Sequence, residues 1–230
     1  MFAFIALSTL FVSLAIMKTR LPPPEKVRSI FDLPAFKELP FLVHTLGLFF
    51  ALMGLYFPFF YLPTFTTAVL NASDDTAFYM LAILNATSTF GRIIPGLLAD
   101  KIGSLNMIIP CGLSATILAF TWMGVTSVSN AATFAVFYGF FSGAIVSLPP
   151  TIVAGLSPHM GVVGTRMGMC FAVAGLGLLI GNPIAGSMVD IKSGDFGSGQ
   201  LFSALIMFVA SVCFVWVRVL QTLRGKGWKM

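Results

Sequence analysis

The chain has 230 residues, of which 57% are hydrophobic and 9% charged, and thirteen Lys and Arg against eight Asp and Glu leave a formal net charge of +5. Soluble domains carry about a quarter charged residues, so this composition, with a mean hydropathy of +0.96, excludes a soluble globular protein. The basic residues stand at the ends of apolar runs instead of forming one polar face, which excludes a nucleic-acid-binding surface.

Seven apolar runs, at 1–17, 40–62, 77–98, 105–125, 131–153, 167–189 and 201–220, read as membrane-spanning helices. A hydrocarbon core is roughly 30 Å thick, and about 18 or more apolar residues cross it as a helix. The first run lacks a basic leader and its positive charges follow it, so it reads as a short span beginning outside, not as a signal peptide. Residues 18–39 carry Pro22-Pro23-Pro24 and mixed charge, the composition of an extended cytoplasmic linker. Residues 40–220 are then one six-helix bundle and 221–230 a cytoplasmic tail. Basic residues test this count, because cytoplasmic connectors retain them. With Met1 outside, Lys18, Arg20, Lys26, Arg28, Lys37, Arg92, Lys101, Arg166, Arg218, Arg224, Lys226 and Lys229 all fall inside, and Lys192 alone falls outside. The pattern predicts a multi-pass protein, expected in the plasma membrane, with its C-terminus cytoplasmic.

The connector after the second run holds Asn71-Ala72-Ser73, a glycosylation sequon on the predicted outer side; Asn85-Ala86-Thr87 repeats the pattern inside a span, out of reach of the transferase. In the third run, helical spacing places Asn85, Ser88, Arg92 and Gly96 on one side, with Ile83, Phe90, Ile94 and Leu97 opposite. A charge at membrane depth is costly unless it faces protein, water or a ligand. Arg92 offers a two-pronged donor to a carboxylate, and no acid within these spans stands as its partner. Two readings stay open: contact with an anionic substrate, and snorkelling of the side chain to the inner interface.

Further along, Gly139 and Gly143, and again Gly177 and Gly181, form Gly-x-x-x-Gly pairs suited to close helix approach. Pro149 with Pro150, and Gly181 with Pro183, are candidate hinges that interrupt two helices. Cys111, Cys170 and Cys213 lie in three different spans and read as packing residues, and the isolated His44, near the start of a span, and His159, in a Ser-Pro-His turn, read as structural or interfacial. No metal set, cofactor motif or nucleophile-base-orienter trio can be assembled, so the chain does not read as an enzyme.

The short inner turn Gly96-Leu97-Leu98-Ala99-Asp100-Lys101-Ile102-Gly103 resembles the loop signature of the major facilitator superfamily, Gly-x-x-x-Asp-(Arg or Lys)-x-Gly. Gly91-Arg92, the Phe57-Pro58-Phe59-Phe60-Tyr61 region and Gly181-Asn182-Pro183-Ile184-Ala185-Gly186 resemble the monocarboxylate-porter branch, especially its fungal members. The resemblance implies an all-α membrane fold: the last helix of a first half, then the six-helix C-terminal half of a twelve-helix facilitator. It further implies transport of a monocarboxylate or similar small organic anion, often with a proton, by alternating access. Arg92, with Ser88 and Asn85 beside it, matches the substrate site, and Gly96, Asp100, Lys101 and Gly103 match the gating loop. Animal lactate porters carry an aspartate where Ser88 stands, and basic residues often follow the loop where Ser104, Leu105 and Asn106 stand here. The expected partners are the lipid bilayer, the small anion, and a missing N-terminal half or second copy, without which this segment is not expected to transport. The alternative expectation is a non-transporting membrane subunit or regulator of a full-length porter.

Overall fold

The computed structural model describes residues 2–17, 31–191 and 193–224. Its helices are α1 Phe2–Ile16, α2 Leu39–Leu55, α3 Phe57–Ala68, α4 Asp74–Ile102, α5 Ser104–Thr121, α6 Val128–Ser147, α7 Pro149–Leu156, α8 Met160–Ser187 and α9 Gly197–Leu223. Short 3₁₀ turns cover Leu33–Lys37 and Trp122–Gly124. Most of the predicted linker (18–30), Lys192, expected outside, and most of the predicted tail (225–230) lie outside the described residues.

Six helical segments are long and apolar enough to cross a membrane: Leu39–Ala68, Asp74–Ile102, Ser104–Gly124, Val128–Leu156, Met160–Ser187 and Gly197–Leu223. They correspond to predicted spans two to seven. The first predicted span is the fifteen-residue α1, about 22 Å long at 1.5 Å per residue, so it is shorter than the other six. Hydropathy places α4 three residues late, because its start is polar. The Ser73 hydroxyl accepts the Thr76 amide proton at 3.3 Å, and Asp74 and Asp75 occupy the first turn, where the helix dipole favours negative charge.

Lipid offers no hydrophobic drive for helix association, so close packing must hold the bundle together. Two glycine seams supply it. Gly139 and Gly143 on α6 lie against the Leu84 and Ser88 carbonyls of α4, while Gly91 of α4 receives Phe140 of α6; Gly177 and Gly181 on α8 lie against the Phe49 and Met53 carbonyls of α2. A methyl group at any of these positions would overlap backbone. Between the seams runs a buried aromatic column. Trp122 stacks on Phe134 at 5.5 Å and Phe134 on Tyr138 at 5.1 Å, each pair contributing about 0.5–1.5 kcal/mol beyond its area. The bundle's outer sides expose Phe78, Phe90, Leu97, Ile117 and Trp216, as a lipid-facing surface requires.

The hinge expectation is corrected at one of its two sites. Leu148 separates α6 from α7, with Pro149 and Pro150 opening the second helix. By contrast α8 runs unbroken through Gly181 and Pro183 to Ser187. Pro183 removes only the amide that would bond the Leu179 carbonyl, and Gly181 serves the seam with Met53. A break that hydropathy does not signal lies at Tyr56, between α2 and α3. Pro58 supplies no amide for the Gly54 carbonyl. That carbonyl accepts the Ser203 hydroxyl at 2.8 Å instead, and the neighbouring Leu55 carbonyl accepts the Tyr138 hydroxyl at 2.9 Å.

Candidate functional site

The polar side of α4 is only partly as the spacing predicts. Asn85 and Arg92 are exposed together, and the Asn85 amide donates to the Leu81 carbonyl of its own helix at 2.9 Å. Ser88 is buried at 4% exposure, beneath Gly143 of α6, so it belongs to the α4–α6 seam and not to the Arg92 side. The physical reason is angular: Ser88 sits about 60° round the helix from Asn85 at 100° per residue, far enough to enter the seam with Leu84 and Gly91. Thr89 takes its place on the exposed side and donates to the Asn85 carbonyl at 3.2 Å. Arg92 stands ten residues before Ile102, about 15 Å along the helix from its C-terminal end. Among the described residues it has no ion-pair or hydrogen-bond partner.

Below Arg92, α4 passes directly into α5. Gly103 adopts φ +97° and ψ 137°, a backbone conformation open to glycine and strained for other residues. Its amide bonds the Ala99 carbonyl at 2.8 Å, and α5 starts at Ser104. Asp100 and Lys101 are exposed at this turn. At Gly96, expected to admit a close neighbour, a methyl group would meet nothing within 4 Å; within this chain that position faces open space. Asn71 lies in the turn between α3 and α4, exposed, with φ +50°, a left-handed conformation asparagine adopts more readily than most residues.

A second polar site lies where α3 begins beside the C-terminal part of α8. The break at Tyr56 and the Asn182-Pro183 stretch flank a crevice of about 820 Å³, lined by Tyr56, Phe60, Tyr61, Leu178, Leu179, Asn182 and Pro183. No charged side chain lines it. The Asn182 Oδ1 is buried without a hydrogen-bond partner. Tyr61 reaches Gly186, whose missing side chain leaves room for its hydroxyl. Sequence reading treats Gly181-Asn182-Pro183 as a hinge and misses the crevice; the available signal is Pro58, amid aromatics in the middle of an apolar run.

A third cluster ties the N-terminal ends of α2 and α8 together. Arg166, on the first turns of α8 and 3% exposed, donates from Nε to Asp32 at 2.8 Å, and from Nη1 and Nη2 to the two oxygens of Glu38 at 3.0 and 2.5 Å. Its guanidinium carbon lies 5.5 Å from the centre of the Phe41 ring. The Arg166 hydrogen bonds hold the Glu38 carboxyl below its ordinary value of 4.5. Sequence reading counts Arg166 only as an inner-side charge, because its partners are 128 and 134 residues away.

No family model matches the chain. It is 41% identical over 187 residues to the MFS-type transporter dbaD of Emericella nidulans, covering 81% of this chain and 42% of that protein. It is 36% identical over 225 residues to the aspyridones efflux protein apdF of the same organism, covering 97% of this chain and 45% of the relative. The agnestins efflux protein AgnL12 of Paecilomyces divaricatus is 34% identical over 188 residues, or 82% of this chain and 42% of the relative. The chain spans about half the length of the curated relatives it matches. Six spans and relatives of this kind make it a multi-pass membrane protein similar to transporters.

Proposed function

Starting from its similarity to major-facilitator transporters, we propose that this chain is one helical half of such a transporter, the C-terminal one, and that the complete protein exports a small organic molecule bearing an acidic group. Movement is by alternating access, with two bundles rocking around a site between them. The observation that carries the reading is Arg92, a cation exposed within a membrane-spanning helix and without a partner among the described residues. A carboxylate would satisfy its paired donors and offset its desolvation. Arg92 and Asn85 are the contacts, and the tight turn at Asp100, Lys101 and Gly103 is the inner gate. Among the described residues every Asp and Glu lies at a span end or in a connector, so a proton moved with the substrate is carried by a group of the other half. The inner ends of α4 and α8 face the cytoplasm, Asn71 is a glycosylation site on the outer side, and the plasma membrane is the location.

The test is transport of labelled benzoate by vesicles containing this chain co-expressed with the N-terminal half of the relative dbaD. Uptake that requires both parts, and that falls at least about tenfold in Arg92→Gln, the worth of one charge-assisted hydrogen bond, supports the reading. Equal uptake by the Arg92→Gln variant overturns it.

A further inference from the structure

Three polar side chains meet in the crevice between α3 and α8 with nothing on the protein to bond. Neither hydroxyl of Tyr56 and Tyr61, nor the amide of Asn182, has a hydrogen-bond partner among the described residues. Other polar side chains of the bundle do find partners, Tyr138 at Leu55, Ser203 at Gly54, and Thr116 at Gly112 and Ser211, while His44, Trp122, Gln200 and Gln221 bury atoms without one but do not line this crevice. The Asn182 Oδ1 is out of water, where a polar group costs roughly 1–3 kcal/mol when its bond is left unmade, and a crevice lined by three polar groups is a poor seat for an acyl chain. The rest of the lining is apolar and aromatic. Tyr56 tilts against Phe60 with ring centres 6.4 Å apart, and Leu178 and Pro183 close the opposite wall. The space of about 820 Å³ lies within the range of small-molecule sites. The lining contains no Lys, Arg, His, Asp or Glu, so nothing in it neutralises a charged ligand.

We propose that this crevice is a binding subsite for an uncharged aromatic ring carrying a hydrogen-bonding substituent, such as a phenol, with the ring against Phe60 and the apolar lining and the substituent shared by Asn182 and the Tyr56 hydroxyl. The Asn182 amide can turn about its terminal bond to present either a donor or an acceptor, since neither end has a protein partner to lose. The subsite rests on the transporter reading only for its role: it holds the ring-bearing body of the substrate, apart from the acidic group given to Arg92. Two unlike groups on one molecule are thus recognised by two separate environments.

The experiment is equilibrium binding of 1-naphthol, and of naphthalene as the ring without a hydroxyl, to the 230-residue chain in lipid nanodiscs. Saturable 1-naphthol binding is expected, weakened about tenfold in Asn182→Ala and about threefold in Tyr56→Phe, as for loss of one hydrogen bond. Naphthalene is expected to bind more weakly and to be insensitive to Tyr56→Phe. Should Asn182→Ala disturb the helix, Tyr56→Phe keeps the ring and removes only the hydroxyl. Absence of saturable 1-naphthol binding, or unchanged affinity in both variants, overturns the subsite. Because no transport is measured, failure of benzoate transport with intact 1-naphthol binding would count against the functional reading alone.

Discussion

Arg166 and Glu38 form a two-bond fork, Nη1 to Oε2 at 3.0 Å and Nη2 to Oε1 at 2.5 Å, across 128 residues of sequence. The fork fastens the end of the connector before α2 to the first turns of α8, and Asp32 and Phe41 complete the cage around the guanidinium. Removing the cation leaves two carboxylates facing each other. Arg166→Met is expected to lower stability by about 1–3 kcal/mol, below the range for fully buried pairs because Glu38 is partly exposed. Thermal unfolding in detergent measures the loss, and protease cleavage within 31–38 should rise. An unchanged midpoint would show the fork to be incidental.

The same pair predicts a pH dependence. Glu38 titrates below its ordinary 4.5 in the folded chain, held there first by its hydrogen bonds from Arg166. A carboxyl whose folded value is depressed contributes stability that is present above the unfolded value and lost as pH falls through the folded one. The stability difference between the native chain and Glu38→Gln should therefore be flat near neutrality and shrink below pH 4.5. A difference that instead shrinks between pH 6 and 8 would point to another group.

Two glycines on neighbouring helices should respond in opposite ways. A Cβ at Gly143 would meet the Ser88 carbonyl, whereas one at Gly96 meets nothing within 4 Å. Gly143→Ala is expected to cost about 1–3 kcal/mol through backbone displacement, and Gly96→Ala to leave the melting temperature of the chain within the error of measurement or slightly raised.

At the break in the first long span, the Leu55 carbonyl is held by the Tyr138 hydroxyl. Tyr138→Phe keeps the ring in its aromatic column and deletes that bond, at an expected cost of about 1 kcal/mol. Amide exchange at Phe59 and Phe60 should accelerate; exchange unchanged there would mean that the break holds itself.

These relationships separate what local sequence encodes from what it does not. Six of the seven spans are legible because a membrane crossing needs a long apolar run, and α1 is legible as an apolar helix although it is shorter than the rest. The glycine pairs are legible as seams because only a missing side chain allows such approach, but not their partners, which are carbonyls of Leu84, Ser88, Phe49 and Met53 on distant helices. Ser88 is misplaced by the helical spacing because the seam takes in a neighbour only 60° from the exposed side. Pro183 looks like a helix break and is absorbed by an unbroken α8, while Pro58 marks a real one. The difference lies in whether neighbouring helices take up the freed carbonyl, as Ser203 does for Gly54. The cage around Arg166 joins charges more than a hundred residues apart, a pairing no local pattern announces. Arg92 is legible for the opposite reason: what marks it is the lack of any acid within the apolar run 77–98, and the folded chain leaves it exposed.

The central claim is tested most directly at Arg92, by benzoate transport with this chain supplied alongside the N-terminal half of dbaD. Transport that needs both parts and falls at least about tenfold in Arg92→Gln is the predicted result; transport equal in the native and Arg92→Gln chains would contradict the account.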